Sequence, residues 1–504
     1  MIRTIINKLS FALLALLLLS SCDNEEYGQG ENTGRGSEKI HFEIVVATAT
    51  TTSSEVQTRV TTSPTYESIF ENGNEVGVYI VKGSGGLQSS GNWVDNMKMT
   101  YNNGSWTPTF PSGKEYYPTD GDKLNFYAYY PYNSAVTDAL NMNISGLTDQ
   151  STAANLSASD LLSAFTLNVE KGNTPVQLNF SHVLTMVELS VTGGGAGAEM
   201  SSKVAVTLEG CNPNASFNLS NGQANAAGNV ASVKMYRVEQ PSDPDYLTKY
   251  TYRALVPTQT VFQNAELFRF SQTQGTISRA LSHKVPLGNV ALYPGQVKPY
   301  NITLQGASSS DTYAVGDYYP HKGFPILGVV FEVSNEGKNG KIVDLDFIQR
   351  YAPVPGNPNA PIRWGDPTVD ENAAGVTGIR DMNNGYNGTR NLIIKRKDQA
   401  NFASDYCIFN WIYLTKNNEK VNGMWYLPAA NEIYTIRGLR VGTLNPKIVA
   451  AGGRELPETN LYRTSTERST QYAAIIDIMY NFEDMRYNKD IANWGIEAVA
   501  IGKF

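Results

Sequence analysis

Cysteine is nearly missing from this sequence: three residues in 504, at positions 22, 211 and 407. Cys211 and Cys407 stand far apart, so no disulfide framework holds the fold, and both thiols are expected as small buried hydrophobes. Charge is sparse too. Asp, Glu, Lys and Arg make up 17% of the chain with a net charge of -7, and the pI is near 5.4. No basic stripe is available to neutralise phosphates, which excludes nucleic acid as a partner. The four histidines (His41, His182, His283, His321) are scattered. No Gly-x-Ser-x-Gly elbow, His-Glu-x-x-His, P-loop or dinucleotide fingerprint occurs. The expectation is a protein that is not an enzyme, with no metal and no cofactor. Long apolar runs are confined to Phe11–Leu19, too short to span a bilayer as a mature helix. What the chain has in quantity is turn and strand material: Gly at 44, Tyr at 29 against Phe at 18, and aromatics at 11%. That is the composition of an extracellular, β-rich protein with many turns, long enough for about three domains at roughly 150 residues each.

The beginning of the chain is an address. Arg3 and Lys8 precede the apolar run, the order of a secretory signal. Leu19-Ser20-Ser21-Cys22 then resembles the lipobox of bacterial lipoproteins, which implies cleavage before Cys22 and a lipid on its sulfur. Asp23, Glu25 and Glu26 follow in a polar, Gly-rich tether to Ser37, and resemble the surface-export signal of Bacteroidetes lipoproteins. The implied location is the outer membrane, facing outward.

From Lys39 the pattern becomes one of strands. Ile40, Phe42, Ile44 and Val46 alternate with polar residues, as a half-buried strand does. A Thr/Ser-rich run ends in Thr58-Arg59-Val60. Asn72-Gly73 feeds a strand through Gly77-Val78-Tyr79-Ile80. Phe126-Tyr127-Ala128-Tyr129-Tyr130-Pro131 is aromatic, Asp160-Leu161-Leu162 precedes Phe180-Ser181-His182, and Ala254-Leu255-Val256-Pro257 leads to a last strand in Gln296–Leu304. The order of these segments resembles the fimbrillin family of Bacteroidales pilins over roughly residues 38–305. The resemblance implies two transthyretin-like β-sandwich lobes, 38–179 and 180–305. It also implies an Arg-specific cut near the start of the first lobe. That cut removes a strand and opens an edge for a donor strand from another subunit by β-augmentation. Arg59 and Val60 occupy the matching place; the plain alternative is that Arg59 is a solvated residue at a strand edge. His182, between apolar residues, reads as a structural histidine near the lobe junction.

After a polar linker, 306–312, the texture changes. Gly328-Val329-Val330-Phe331 is a nearly continuous apolar strand, and the turn Asn335–Gly340 closes a hairpin. A helical period runs from about Asp398 to Trp411, with Phe402, Tyr406, Phe409 and Ile412 on one side. Trp425-Tyr426-Leu427-Pro428 precedes a second helix. With Glu432 and Ser465-Thr466-Glu467, these segments resemble the lectin-like paralogous domains of Bacteroidetes surface proteins, distant relatives of the C-type lectin fold. The disulfides and calcium signatures of animal C-type lectins are missing. The expected fold class is therefore mainly β: two transthyretin-like β-sandwich lobes followed by an α+β C-type-lectin-like domain at 313–504.

For ligand chemistry the third domain offers two readings. Trp364 lies in a long loop rich in Pro, Gly and Asp and is the better sugar-stacking candidate. Trp411 is a second, and Trp425 reads as core. Asp366, Asp370, Asp381, Asn383, Asn384 and Asn387 supply the oxygen that calcium requires, or are simply turn residues, since their spacing matches no defined calcium loop. Asp381 and Glu432 are the carboxylates an envelope enzyme acting on polysaccharide would need. The family resemblance implies a fimbrial subunit partnered with other pilins. With a third domain after its last strand, the chain reads as a tip pilin whose head binds glycan or a host protein. The alternative is a lipoprotein that stays anchored in the outer membrane and never polymerises.

Overall fold

The computed structural model describes residues 38–46, 70–194, 200–201, 203–238, 246–247, 249–285, 288–305, 310–349, 351–354, 357–416, 424–458, 461–480, 482–484, 488–490 and 496–504. Cys22, Arg59 and Val60 lie outside these residues. The chain is mainly β.

The first lobe contains β1 (Phe42–Val46), β2 (Glu75–Lys82), β3 (Val94–Asn102), β4 (Ser105–Pro108), β5 (Leu124–Tyr130), β6 (Met142–Ile144), α1 (Ala153–Ala158), β7 (Leu162–Val169) and β8 (Val176–His182). Seven of these strands make one sheet in the order β1-β8-β7-β5-β2-β3-β4. The pairings are antiparallel except that of β1 with β8, which is parallel. Both faces of this sheet are covered, which explains why every residue of the aromatic strand β5 is buried. Phe126 and Ala128 join a core with Val76, Val78 and Phe180. Tyr127 and Tyr129, alternating to the opposite side, join a second core with Tyr79, Val183 and Phe217. Gly77 is required by this packing: a Cβ there would sit 2.2 Å from the Tyr129 ring, whose hydroxyl donates to Asn96 Oδ1 at 2.9 Å.

The second lobe contains β9 (Thr185–Gly194), β10 (Met200–Ser201), β11 (Ala205–Cys211), β12 (Ala215–Asn218), β13 (Gln223–Ala226), β14 (Ala231–Lys234), β15 (Tyr236–Arg237), β16 (Tyr246–Leu247), β17 (Lys249–Val256), β18 (Gln259–Val261), β19 (Glu266–Gln274), β20 (Ile277–Lys284), β21 (Val290–Leu292) and β22 (Val297–Gln305). Two four-stranded sheets, β14-β11-β19-β20 and β15-β17-β9-β22, enclose a core of Leu189, Val191, Leu208, Cys211, Tyr250 and Phe270, among others. Burial raises the Cys211 thiol to about 12, as an inert core thiol should be. Strand β8 runs through the position 179/180 and ends at His182, which pairs with Leu162. The lobes also share material. β6, from the first, pairs with β12 in the sheet β13-β12-β6, and the core around Tyr129 and Phe217 draws on both. His182 Nδ1 lies 3.0 Å from Asp160 Oδ1 at this junction, both side chains buried. Its partner is therefore the Asp of Asp160-Leu161-Leu162, too far back in sequence for any spacing rule to find.

The third domain contains β23 (Tyr318–Tyr319), β24 (Gly328–Ser334), β25 (Asn339–Gln349), β26 (Tyr351–Val354), β27 (Asn357–Pro361), α2 (Gly385–Arg396), α3 (Phe402–Asp405), α4 (Cys407–Trp411), β28 (Trp425–Tyr426), α5 (Ala430–Leu439), α6 (Asn445–Ala450), β29 (Leu461–Glu467), β30 (Ala473–Asp477), β31 (Phe482–Asp484) and β32 (Ile496–Lys503). Its main sheet runs β23-β24-β25-β32-β29-β30-β31, with β28 on the end of β32. The last strand thus lies between an early and a late one. Helices α2 and α4 pack on one side of the sheet with Trp364, Leu392 and Phe409, and α5 and α6 on the other with Ile433 and Ile448. The helical period expected over 398–411 is broken at Tyr406, which has φ -110° and ψ 42°; the apolar side is as expected, with Phe402, Tyr406, Phe409 and Ile412 all buried. Helix α2 was not legible in the sequence, because Gly385 and Gly388 are poor helix formers. They are needed for close approach: a Cβ on Gly385 would meet Leu427 O at 2.1 Å, and one on Gly388 would meet Gly378 O at 2.7 Å.

Candidate functional site

Two places carry functional weight: the seam of the first lobe at β1, and the long loop of the third domain that joins β27 to α2.

At the seam, residues 38–46 are held on two fronts. Ile40 N donates to Glu115 O at 3.0 Å and Tyr117 N to Glu38 O at 3.0 Å, after which β1 runs parallel to β8 from Phe42 to Val46. Its other edge faces β4 across a cleft of about 440 Å³ lined by Ile40, His41, Phe42, Glu43, Tyr101 and Trp106, among others. The sheet therefore curls until its two edge strands nearly meet, and β1 closes most of the gap. Phe42, Ile44 and Val46 point inward and pack against the first-lobe core; Phe42 meets Phe126 edge to face at 5.7 Å. Each of the three is only half-buried, so each contributes roughly 1 kcal/mol by burial. Removing β1 would open a strip of the core and bare the row of backbone donors and acceptors on β8.

In the third domain the loop after β27, residues 362–384, has no helix or strand, yet it is pinned from beneath. Glu467, at the end of β29, is fully buried. It accepts from Lys489 Nζ at 2.6 Å, Glu371 N at 2.7 Å, Asn372 N at 3.0 Å and Arg380 Nε at 3.3 Å. Lys489 also donates to Val369 O at 2.6 Å. Burial pulls the Lys489 ammonium down from its ordinary value while Glu467 opposes the fall. Glu371, equally buried, accepts from Tyr406 Oη at 2.5 Å and Arg396 Nη2 at 3.0 Å; burial, and then the Glu371 carboxylate, push the Tyr406 phenol up. This network ties the loop to the sheet and to helices α2 and α4. It is a structural network, every carboxylate of which is paired.

The residues singled out from the sequence fall into this frame, with corrections. Trp364 is no platform: it is fully buried, its Nε1 donates to Thr464 O at 2.8 Å, and the Lys489 ammonium lies 5.0 Å above its ring. Trp411 is half-buried against the same core, and Trp425 is buried in it. Asp366 accepts from Thr368 N at 2.8 Å and Thr368 Oγ1 at 2.6 Å. Those bonds hold its carboxyl below the usual range. Asp370 accepts from Ala373 N and from Arg380 Nη2, each at 2.8 Å. Asp381 accepts from Asn383 N at 2.8 Å and Asn384 N at 3.2 Å. Asn384 caps α2 through Tyr386 N at 3.1 Å, and Asn383 accepts from Asn431 Nδ2 at 2.7 Å. These oxygens serve their own turns and do not converge on one point. Glu432 is buried and accepts from Ala429 N at 2.7 Å, Gly385 N at 3.1 Å and Tyr426 Oη at 2.9 Å, with Lys341 Nζ at 2.8 Å. It braces the start of α5 and is not free to work as an acid or base with Asp381. Among the described residues no helix is long and apolar enough to cross a membrane.

Comparison with known proteins gives the family. The model of the fimbrillin-like family matches residues 58–316, and the chain belongs to that family. A candidate fimbrium subunit, Fim1C, of Bacteroides uniformis is 26% identical over 225 residues, 44% of this chain and 64% of that protein. The chain thus spans just under two thirds of the length of that curated relative. Among solved structures, a candidate cell adhesion protein of Bacteroides ovatus aligns at 16% identity over 54% of this chain and 94% of its own, with a TM-score of 0.39. A fimbrial protein of Bacteroides ovatus aligns at 16% identity over 93% of this chain and 100% of its own, with a TM-score of 0.33.

Proposed function

We propose that the chain is a fimbrial subunit placed at a fibre end, exported as a lipoprotein through Cys22 and matured by cleavage between Arg59 and Val60. Family membership supports the fimbrial part. The observation that carries maturation by strand exchange is β1: an edge strand paired on one side only, half-buried, and parallel to its neighbour. It lies upstream of Arg59, so a cut there severs the covalent link of β1 to the lobe. The vacated strip then accepts a strand from another subunit. The third domain follows the last strand of the second lobe, so this subunit accepts a strand more readily than it gives one, and the third domain is the head. We read the lobes as transthyretin-like and the head as C-type-lectin-like, with glycan or a host protein as its partner and no catalysis. The position of the last strand, β32, between an early strand, β25, and a late one, β29, supports the second of these readings.

Treatment of the purified chain with an Arg-specific protease tests the proposal. A stable product beginning at Val60, absent from the Arg59→Ala variant, is the expected result. Products that begin elsewhere, or a chain that resists the protease, contradict maturation at this site and favour the permanently anchored lipoprotein.

A further inference from the structure

The junction between the second lobe and the third domain is an interlocked contact. The tip of the β19–β20 hairpin enters the third domain beside the end of α6. Gln274 pairs with both sides of Ile326: its Nε2 donates to Ile326 O at 3.0 Å, and Ile326 N donates to its Oε1 at 2.9 Å. Thr276 N donates to Ala450 O at 2.7 Å. Gly275 has φ +61°, and a Cβ on it would lie 2.2 Å from Gly452 N and 2.4 Å from Ala450 O. Arg279 Nη1 donates to Pro320 O at 2.8 Å and to Gly323 O at 3.1 Å, buried enough that desolvation lowers its pKa. Each side also lends an apolar residue to the other's core. Ile277 packs against the third-domain cluster, and Phe324 packs against the second-lobe cluster, the same core that Tyr300, Ile302 and Leu304 of β22 pack against.

From this we infer that the docked third domain is a clamp on β22 that withholds the strand from other subunits. The inference rests on the strand-exchange reading above and adds its mechanism: docking, and not fusion alone, makes the subunit unable to donate. A donated strand of nine residues must lie extended over about 30 Å of another subunit. The front end of β22 is fixed, since Gly295 N donates to Leu184 O at 3.1 Å and Met186 N to Gln296 O at 2.9 Å. Its whole length pairs with β9. Its far end leads within eight residues to Tyr313, whose N donates to Gly337 O at 2.9 Å inside the third domain. Eight residues reach at most about 29 Å, so while the third domain stays docked both ends of β22 remain at its own lobe. A third domain on a loose tether would travel with the strand and leave it free to go.

Hydrogen exchange on the uncut chain, alone in solution, tests this. In the wild-type protein the β22 amides bonded to β9 exchange as slowly as those of β17, and it is these amides that are followed. In a Gln274→Ala, Gly275→Val, Arg279→Ala variant the junction opens, reported by loss of protection at the Thr276 amide, and β22 exchange accelerates by about tenfold or more while β25 and β17 hold. Arg279→Ala alone, which removes two bonds and no backbone fit, is expected to give a smaller acceleration of the same strand. If the Thr276 amide is released in either variant and β22 stays protected, or if β22 is already fast in the wild type, the clamp is wrong. A failure of Arg59 to be cut would sink the fibre reading and leave this result untouched.

Discussion

Replacing Glu467 by alanine is expected to destabilise the third domain by about 3–5 kcal/mol, the usual cost of breaking a buried ion pair by removing one member. Glu467 and Lys489 are both fully buried, so the change strands an ammonium in the core. It also takes the acceptor from the backbone amides of Glu371 and Asn372. The loss has a pH signature. Burial already lowers the Lys489 pKa, and without Glu467 only the weaker pull of Glu371 and Asp370 holds it up. Above its lowered folded-state pKa the lysine is more fully protonated in the unfolded state, so the variant's stability rises with pH until the unfolded lysine itself titrates near 10.4. Denaturant unfolding of Glu467→Ala should therefore show a smaller deficit at pH 9 than at pH 6. A deficit below about 1 kcal/mol, the range of exposed pairs, would mean that the network does not hold the loop.

The second large effect is at Trp364. Truncation to alanine is expected to cost about 3–5 kcal/mol, as for other buried aromatic residues, because it removes the ring that packs on Phe409 and the donor to Thr464 O. Trp364→Phe keeps an aromatic ring but loses the hydrogen bond and part of the indole's volume, so it should cost less, about 1–3 kcal/mol. Since Lys489 covers the Trp364 face, the Trp364→Ala and Glu467→Ala effects share a partner and will not add. The double variant should be more stable than the sum predicts. Thermal unfolding of the four proteins measures this. A Trp364→Ala variant as stable as the wild type would restore the residue to the surface and to the list of sugar platforms.

Trp364 also shows where sequence reading runs out. A loop of Pro, Gly and Asp looks solvated, and composition cannot tell that its one indole is the anchor and its polar residues the rim. The buried charges were hidden for the same reason. Glu371, Glu467 and Lys489 are spread over more than a hundred residues, and each taken alone looks like an exposed charge. Where period and turn chemistry act locally, the sequence spoke clearly. The strands at Val76–Ile80, Leu124–Tyr130 and Gln177–His182, the hairpin around Asn335–Gly340 and the apolar side of 402–412 all stand where patterning puts them. The alternation of Ile40 to Val46 marked β1 as half-buried, but pairing direction is not written in a pattern of period two. The parallel join to β8, and with it the edge position, needed the three-dimensional structure. So did the hairpin tip lodged in the third domain, which rests on Gln274-Gly275-Thr276, an ordinary turn by sequence.

The central claim is that β1 is a replaceable strand. It is tested by cutting the chain with an Arg-specific protease and offering a labelled peptide of residues 38–47. The cut chain is expected to take up the peptide in exchange for its own first strand. It is also expected to lose thermal stability when the strand is washed out and to regain it when the peptide returns, while the uncut chain takes up none. A cut chain that keeps its stability without residues 38–47 and ignores the peptide would contradict the account.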